Sequence, residues 1–191
     1  MQDNSKRRRN VDRSADTKAR LIAAARKLFV EKGFSGTSTP EIVRQAEVTR
    51  GALYHHYADK TALFRAVLEA ESDAIGHAIE AIDKQPNPLA AGSAAYFSAM
   101  AVPGRARLLL VEGPFVLGAA EIDAMDGGGG RASLRAGLAA AVNGFSETEI
   151  DALAMILSAG FDRAALAIAE GAAPEPYHVA LQSLIEGIRA Q

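Results

Sequence analysis

Residues 37–60 read TSTPEIVRQAEVTRGALYHHYADK, and the way this stretch divides into helices decides the fold. Ser38 with Glu41 three residues later has the form of a capping box. Thr39 as cap, with Pro40 at the first helical position, is the other reading of the same start. Either way a helix begins here and runs to about Ala46, and Thr49 followed by Arg50 restarts a second short helix through Tyr54 to His56. Two short helices across a tight turn, over residues 38–57, have the plan of a helix-turn-helix, in which the second helix presents side chains to the major groove. On a 3.6-residue period Leu53 and Tyr57 face inward, while Gly51 and His55 point away, flanked by Ala52 and Tyr54.

Working outward, the preceding helix can start at Ser14 or Asp16 and carries Leu21, Ala25, Leu28 and Phe29 on one face. Gly33 suits the left-handed position that ends a helix, and Phe34 beyond it is placed to touch Phe29. A fourth helix begins near Lys60 with Asp59 as its cap and continues to about Asp83, where Gln85, Pro86 and Pro88 stop it; it is long enough to link two domains. Beyond Pro88, helices are expected at about 88–101, 104–112, 115–126, 131–142, 146–170 and 174–190, with Ser146 and Glu149 as a second capping box and Gly171 as a stop. Gly127 to Gly130 reads as a flexible connection, because no strand precedes it and no Lys-Ser/Thr follows, as a phosphate cradle would need. No alternation of β-branched residues marks a strand, so the expected class is all-α.

The net charge of −2 conceals an asymmetry. Residues 1–65 carry 14 Lys/Arg against 7 Asp/Glu, and the remainder 7 against 16. A basic N-terminal third on an acidic body suggests one docking surface for a polyanion attached to something else. With no cysteine there is no disulfide framework or thiolate metal site, and a reducing cytoplasm is the expected compartment. Met1 to Asn10 lacks the apolar core of a signal peptide. The uncharged run Gln85 to Gly104 is interrupted by Pro86, Pro88 and Pro103 and falls short of the ~20 residues of a membrane span, so no membrane is expected as a partner. The expected organisation is a basic flexible arm at 1–13, a helix-turn-helix domain at 14–60, and a helical regulatory and dimerisation domain at 61–191.

Thr37, Ser38, Thr39, Thr49, Tyr54 and Lys60 place hydroxyls and an ammonium near helix amino ends, where free N–H groups and the dipole favour phosphate. The plainer reading of Thr37, Ser38 and Thr49 is as caps, and of Tyr54 as a core aromatic. Arg50, in the first turn of the third helix, is the candidate for a bidentate contact to guanine, with His55 and the methyl of Ala52 as lesser readers. Gly51 has no packing role in an outward position, but it lets backbone approach a phosphate or base edge. His55 and His56 diverge on a helix and no cysteine joins them, so no metal or other cofactor is expected. Lys6 to Arg9 with Arg13 form either a solvated tail or an arm adding non-specific phosphate attraction.

The stretches Ala25-Arg-Lys-Leu-Phe29, Lys32-Gly-Phe34, Thr37-Ser38, Glu41-Ile42 and Arg50 to Lys60 resemble the TetR-type repressors over roughly residues 15–68. The resemblance implies an N-terminal three-helix DNA-binding domain and a larger C-terminal helical domain that binds an inducer and dimerises. It also implies repression by operator occupancy. Thr37, Thr49, Arg50, Tyr54, His55 and Lys60 match phosphate- or base-contacting places of that family. Glu47 departs from it, standing where the family commonly has glycine, and is strained by about 1–2 kcal/mol if its φ is positive.

After Leu68 only pattern remains. Ile150, Leu153, Leu157, Phe161, Ala164 and Ile168 form one seam, and Leu181, Leu184, Ile185 and Ile188 another. With small residues between, they suggest a four-helix bundle with a second copy of the chain; the competing reading uses both stripes inside one subunit. Candidates to line a pocket for a small hydrophobic inducer are Tyr96, Phe97, Met100, Phe115, Leu117, Met125, Met155 and Phe161, with core packing as the plainer role of each. His77, Arg105, Glu112, Asp162 and Arg163 are charged residues that could orient a polar group of such a ligand. The expected function is thus a regulator, most simply a repressor, that binds a palindromic double-stranded operator as a homodimer. A regulator without inducer, or an activator, is the alternative. An enzyme or carrier is disfavoured, since the sequence holds no nucleophile–base pair, metal cluster or cofactor motif.

Overall fold

Breaker residues and caps divide the chain much as their spacing predicts. The computed structural model describes residues 2–82 and 87–190, with side chains from residue 13 onward. Helices α1 (Gln2–Gly36), α2 (Thr39–Gln45), α3 (Arg50–His56) and α4 (Lys60–Glu80) are followed by α5 (Pro88–Met100), α6 (Arg105–Arg107), a π-helical turn (Leu108–Glu112) and α7 (Gly113–Leu117). The remaining helices are α8 (Ala119–Gly127), α9 (Gly130–Ala141), α10 (Glu147–Ala169) and α11 (Glu175–Arg189). Among the described residues there is no strand. The chain divides into two compact units, Met1–Leu68 and Glu69–Gln191.

In the first unit the stop at Gly33 is real in the backbone, at φ 73°, although helical residues resume to Gly36. Phe34 meets Phe29 at 5.9 Å between ring centroids, and Phe64 packs edge-on to both at 5.0 Å. Around them Leu21, Ala25, Ile42, Leu53, Leu63 and Val67 are wholly buried. Burial of each large apolar side chain contributes about 1.5–3 kcal/mol, so the inward face of α3 is held by Leu53 and Tyr57 rather than by its own seven-residue length. Asp59 Oδ1 accepts from the Ala62 N–H at 2.7 Å, the expected cap of α4.

The helix start expected at Ser14 or Asp16 is corrected, because α1 begins at Gln2. Residues 2–13 contain neither proline nor glycine and include four Arg, a good helix former, so nothing halts a helix propagating toward the amino end. The backbone of the expected arm is therefore helical; the side chains of Lys6 to Arg9 lie outside the described residues, as do Asp83, Gln85 and Pro86, the expected end of α4.

In the second unit α10 is the central element, packed by α9, α11 and α6. It is long and apolar enough by composition to cross a membrane, but its apolar side is the core of this unit: Ile150, Ala154, Leu157, Phe161 and Ala164 are buried. Leu181 and Ile185 of α11 are buried as well. This corrects the expected dimer seam, since six of its members, Ile150, Leu157, Phe161, Ala164, Leu181 and Ile185, are used within one subunit, and Leu153, Ile168 and Ile188 are partly covered. The heptad-like stripe faces the subunit's own α5 and α9, which had no strong signal. The large apolar side chains of α10 and α11 left outward are Met155, Ile156, Val179 and Leu184; of these the sequence reading placed only Leu184 at an interface.

Three further features were not visible in sequence. The single helix expected over 115–126 breaks at Gly118, where φ is 91°, and α6 widens into a π-helical turn at Leu108–Glu112. Arg105 and Glu71, both buried, form an ion pair at 2.8 Å from Nε to Oε2, and Arg105 Nη1 donates to the Ala99 carbonyl at 2.7 Å. Removing one member of such a pair leaves an uncompensated charge in a low-dielectric surrounding.

Candidate DNA interface and ligand cavity

The start of α2 resolves in favour of Ser38, whose N–H and hydroxyl both donate to Glu41 Oε2 at 3.0 and 2.7 Å. Lys32 Nζ reaches the other oxygen of Glu41 at 2.6 Å. The Lys32 and Ser38 hydrogen bonds hold this carboxyl down to about 2. Thr49 caps α3 by accepting from the Ala52 N–H at 3.1 Å, and its own hydroxyl proton stays available on an exposed residue.

Outward on the first two turns of α3 stand Arg50, Gly51, Tyr54 and His55, all exposed, with Ala52 half-buried. Tyr54 is 42% exposed, which excludes the core reading. The Arg50 guanidinium lies 5.4 Å from its ring centre. Hydrogen bonds from Thr39, and then from Arg50, hold the phenol below its ordinary range. Thr39, Tyr54 and Arg50 thus form one polar cluster spanning α2 and α3. A Cβ on Gly51 would meet only Thr49 Oγ1, at 3.9 Å, so packing places no demand for glycine there.

Three expected phosphate contacts are corrected. Thr37 is 2% exposed, and its hydroxyl donates inward to the carbonyls of Gly33 at 2.8 Å and Leu28 at 3.2 Å, closing the end of α1. Lys60 Nζ donates to the carbonyls of Phe34 and Thr37 at 2.7 and 2.9 Å and sits 4.1 Å from the Phe34 ring centre. Two of its three N–H groups therefore tie the α1–α2 connection to the start of α4. Ser38 likewise gives its hydroxyl proton to Glu41. Glu47 has the positive φ anticipated for a residue replacing glycine, 52°, and is the one non-glycine residue with positive φ among those described. Its carbonyl accepts from Arg20 Nη2 at 2.9 Å.

The second unit contains a cavity of about 540 Å³ between apolar walls that include Ile79, Leu89, Leu134 and Phe161, with Tyr96, Asp126, Ser133 and Ser158 among its polar lining. The Tyr96 hydroxyl donates to Asp162 at 2.6 Å, and Ser158 donates to Asp126 at 3.0 Å. Burial, reinforced by the charge of Asp126 and opposed by the Tyr96 hydrogen bond, raises the Asp162 carboxyl to about 6; burial also pushes the Tyr96 phenol upward. Of the expected pocket residues the cavity includes Tyr96 and Phe161. Phe97 lines a smaller neighbouring cleft against His178, whose ring lies 4.4 Å away. Met100 is core, Leu117 and Met125 are partly covered outside the cavity lining, and Phe115 and Met155 face outward, Phe115 at 84% exposure. Bulk had been the criterion for a pocket; here small residues, Gly92, Ala136, Gly137, Ala140 and Ala141, make the space. Of the charged candidates, Arg105 is committed to Glu71 and Asp162 to Tyr96.

A family model described as bacterial regulatory proteins of the tetR family matches residues 21–67, and one described as a tetracyclin repressor-like C-terminal domain matches residues 87–189. The chain belongs to the TetR family. The family is one of bacterial regulatory proteins. The HTH-type transcriptional regulator AcrR of Shigella flexneri is 38% identical over 69 residues, which cover 36% of this chain and 32% of AcrR. The regulator QacR of Staphylococcus aureus is 37% identical over 54 residues, 28% of this chain and 29% of QacR. The match thus spans about a third of these curated relatives. A TetR-family regulator from Pectobacterium atrosepticum has the same fold at a TM-score of 0.70 and 28% identity, over 93% of this chain and 96% of that one. One from Streptomyces coelicolor aligns at a TM-score of 0.72 and 22% identity, over 92% and 95% of the two chains. Among functional candidates in this TetR-family chain, Asp126, Ser158 and His178 were missed in sequence, because a carboxylate on one helix and a serine on another give no local pattern.

Proposed function

We propose that this chain is a repressor that occupies a palindromic operator as a homodimer and releases it when a small molecule fills the cavity of the second unit. The observation that carries the DNA half is the outward cluster on α3: Arg50, Gly51, Tyr54 and His55 stand exposed on a helix whose opposite face is buried. Thr39 and Thr49 would hold the phosphates, and Arg50 and His55 would read base edges, Arg50 through a bidentate contact worth about 1–3 kcal/mol of discrimination. Pairing of two copies is supported by the outward Met155, Ile156, Val179 and Leu184 of α10 and α11, a set of apolar side chains that solvent does not favour. The cavity has the size common for small-molecule sites. A ligand that fits one arrangement of the dimer better than another would shift the population toward it and change the spacing of the recognition helices. The site of action would be the cytoplasm, where the operator is.

A gel shift and footprint on the gene's own upstream region test the reading. The expected result is two protected half-sites about one helical turn apart, lost on adding a ligand that binds the cavity. Protection of one asymmetric half-site by a monomer, or no retarded fragment at low salt, would refute it. Binding that persists through every cavity ligand would leave a regulator without inducer.

A further inference from the structure

We propose that the cavity selects ligands carrying a hydrogen-bond-donating cation, such as a primary amine or amidinium, on an apolar body. This rests on the reading of the cavity as the inducer site. The argument comes from where the lining protons go. Four hydroxyls line the space, and each gives its single proton to the protein: Ser93 to the Leu89 carbonyl at 2.8 Å, Ser133 to the Gly129 carbonyl at 3.4 Å, Ser158 to Asp126 at 3.0 Å and Tyr96 to Asp162 at 2.6 Å. What they retain is lone pairs. Asp126, with its side chain 35% exposed, adds carboxylate oxygens to the same lining. The inner polar groups therefore accept and do not donate; Asn87, which keeps its amide N–H groups, is exposed at the edge of the lining.

The charge balance points the same way. Arg131 is the cation beside these acids, with Nε 3.8 Å from Asp126, but its two terminal nitrogens donate to the side chain and carbonyl of Asp123. One guanidinium is thus shared by Asp123, Asp126 and, more distantly, Asp162. At the edge of the lining, Glu80 and Arg189 are exposed and of opposite sign, so solvent and each other reduce their influence. The amino end of α9 is the feature that would draw an anion. Asp126 already lies against it, with Oδ1 3.6 Å from where a Cβ on Gly130 would stand. A cation entering from water needs acceptors and a counter-charge to offset its desolvation, and both are present. Tyr96 and Phe161, both in the lining with ring centroids 5.4 Å apart, add aromatic surface of the kind that attracts a cation. A carboxylate ligand would meet like charge and no free hydroxyl proton, while the aliphatic walls supply the surface for the apolar remainder.

The test uses the full chain and three probes that share one apolar body: naphthylethylamine, naphthylethanol and naphthylacetate, titrated calorimetrically near neutral pH. The amine is expected to bind about tenfold or more tightly than the alcohol, and the acid most weakly. Asp126→Asn should remove the advantage of the amine and leave the alcohol unchanged, whereas Asp126→Glu should retain it. Gly92→Leu, where a Cβ has only Ile79 Cγ2 at 3.9 Å and the rest of the side chain projects into the space, should abolish binding of all three. Equal binding of amine and alcohol, tightest binding of the acid, no binding of any probe, or an amine preference that survives Asp126→Asn would overturn the inference. If Asp126→Asn does not fold, the order of the probes on the native chain still decides. A gel shift run beside the titration separates the two readings. An acid or alcohol that releases the operator at a lower concentration than the amine sustains the inducer reading and sinks this one; a tightly bound amine that leaves the operator occupied does the reverse.

Discussion

Replacing Gly51 by alanine should move stability and DNA binding in opposite directions. The added Cβ meets only Thr49 Oγ1, at 3.9 Å, which is ordinary contact and costs nothing in packing. Alanine is better than glycine in a helix interior by about 0.5–1 kcal/mol; in the first turn of α3 roughly half of that is expected, or a rise in Tm of about 1–2 °C. If DNA lies against this face at contact distance, the methyl has no room, and displacing packed groups to admit it costs about 1–3 kcal/mol, a loss of roughly 5- to 150-fold in affinity. Thermal unfolding and a gel shift at one fixed salt concentration measure both on the same preparation. Gly51→Leu should enlarge the second effect. An alanine variant that is folded and binds the upstream fragment as tightly as the native chain would show that no DNA approaches this side of α3. A lowered Tm would show that the space around Gly51 has been misjudged.

Other expectations follow from the same geometry. Glu71→Ala should cost about 3–5 kcal/mol in urea unfolding, and the double variant Glu71→Leu with Arg105→Met distinctly less than the sum of the single changes; a cost below 1 kcal/mol would deny the pair its buried character. Asp162 has a carboxyl raised to about 6 from 3.8, so its term favours folding below pH 4 and is lost as pH rises through 6, by up to about 3 kcal/mol. Asp162→Asn should therefore stabilise the protein near pH 8 and hardly at all near pH 4, and a pH-independent effect would contradict the cause given. Lys60→Ala should lower stability by about 1–3 kcal/mol through its two carbonyl bonds and leave the salt slope of operator binding unchanged, whereas a slope reduced by about one would return Lys60 to the phosphates. Ile156→Glu, at a residue 68% exposed, should halve the sedimenting mass without loss of helicity; an unchanged mass would remove α10 from the dimer interface.

The first unit was legible because its signals are local. Caps at Ser38, Thr49 and Asp59, the stop at Gly33 and the inward pair Leu53 and Tyr57 depend on residues a few positions apart. Even there, burial was not readable: Thr37 and Lys60 have the chemistry of phosphate ligands, and only the fold turns them toward the carbonyls of Gly33, Phe34 and Thr37. Helix positions in the second unit were also within reach, through Ser146, Glu149 and Gly171. Which stripe meets which was not. The seam of α10 has the same periodicity whether it packs on its own subunit or on a second copy, and the cavity arises from small residues on α5 and α9 combined with Asp126 on α8 and Ser158 on α10. Such a combination exists only once the helices are assembled.

The positive φ of Glu47 has a consequence for how this protein can change. One nucleotide substitution converts a glutamate codon to glycine, and Glu47→Gly would release on the order of 1 kcal/mol of backbone strain, offset in part by the extra freedom of glycine in the unfolded chain. The Arg20 hydrogen bond to the Glu47 carbonyl would survive, since it uses the main chain, and only the exposed ion pair from Arg20 to the Glu47 carboxylate, at 3.5 Å, would be lost. The turn between α2 and α3 is thus a reserve of mutational tolerance, lying beside the reading face but outside it. A destabilising change elsewhere in the first unit has a suppressor one base away, and a selection for restored repression in such a mutant would be expected to recover it.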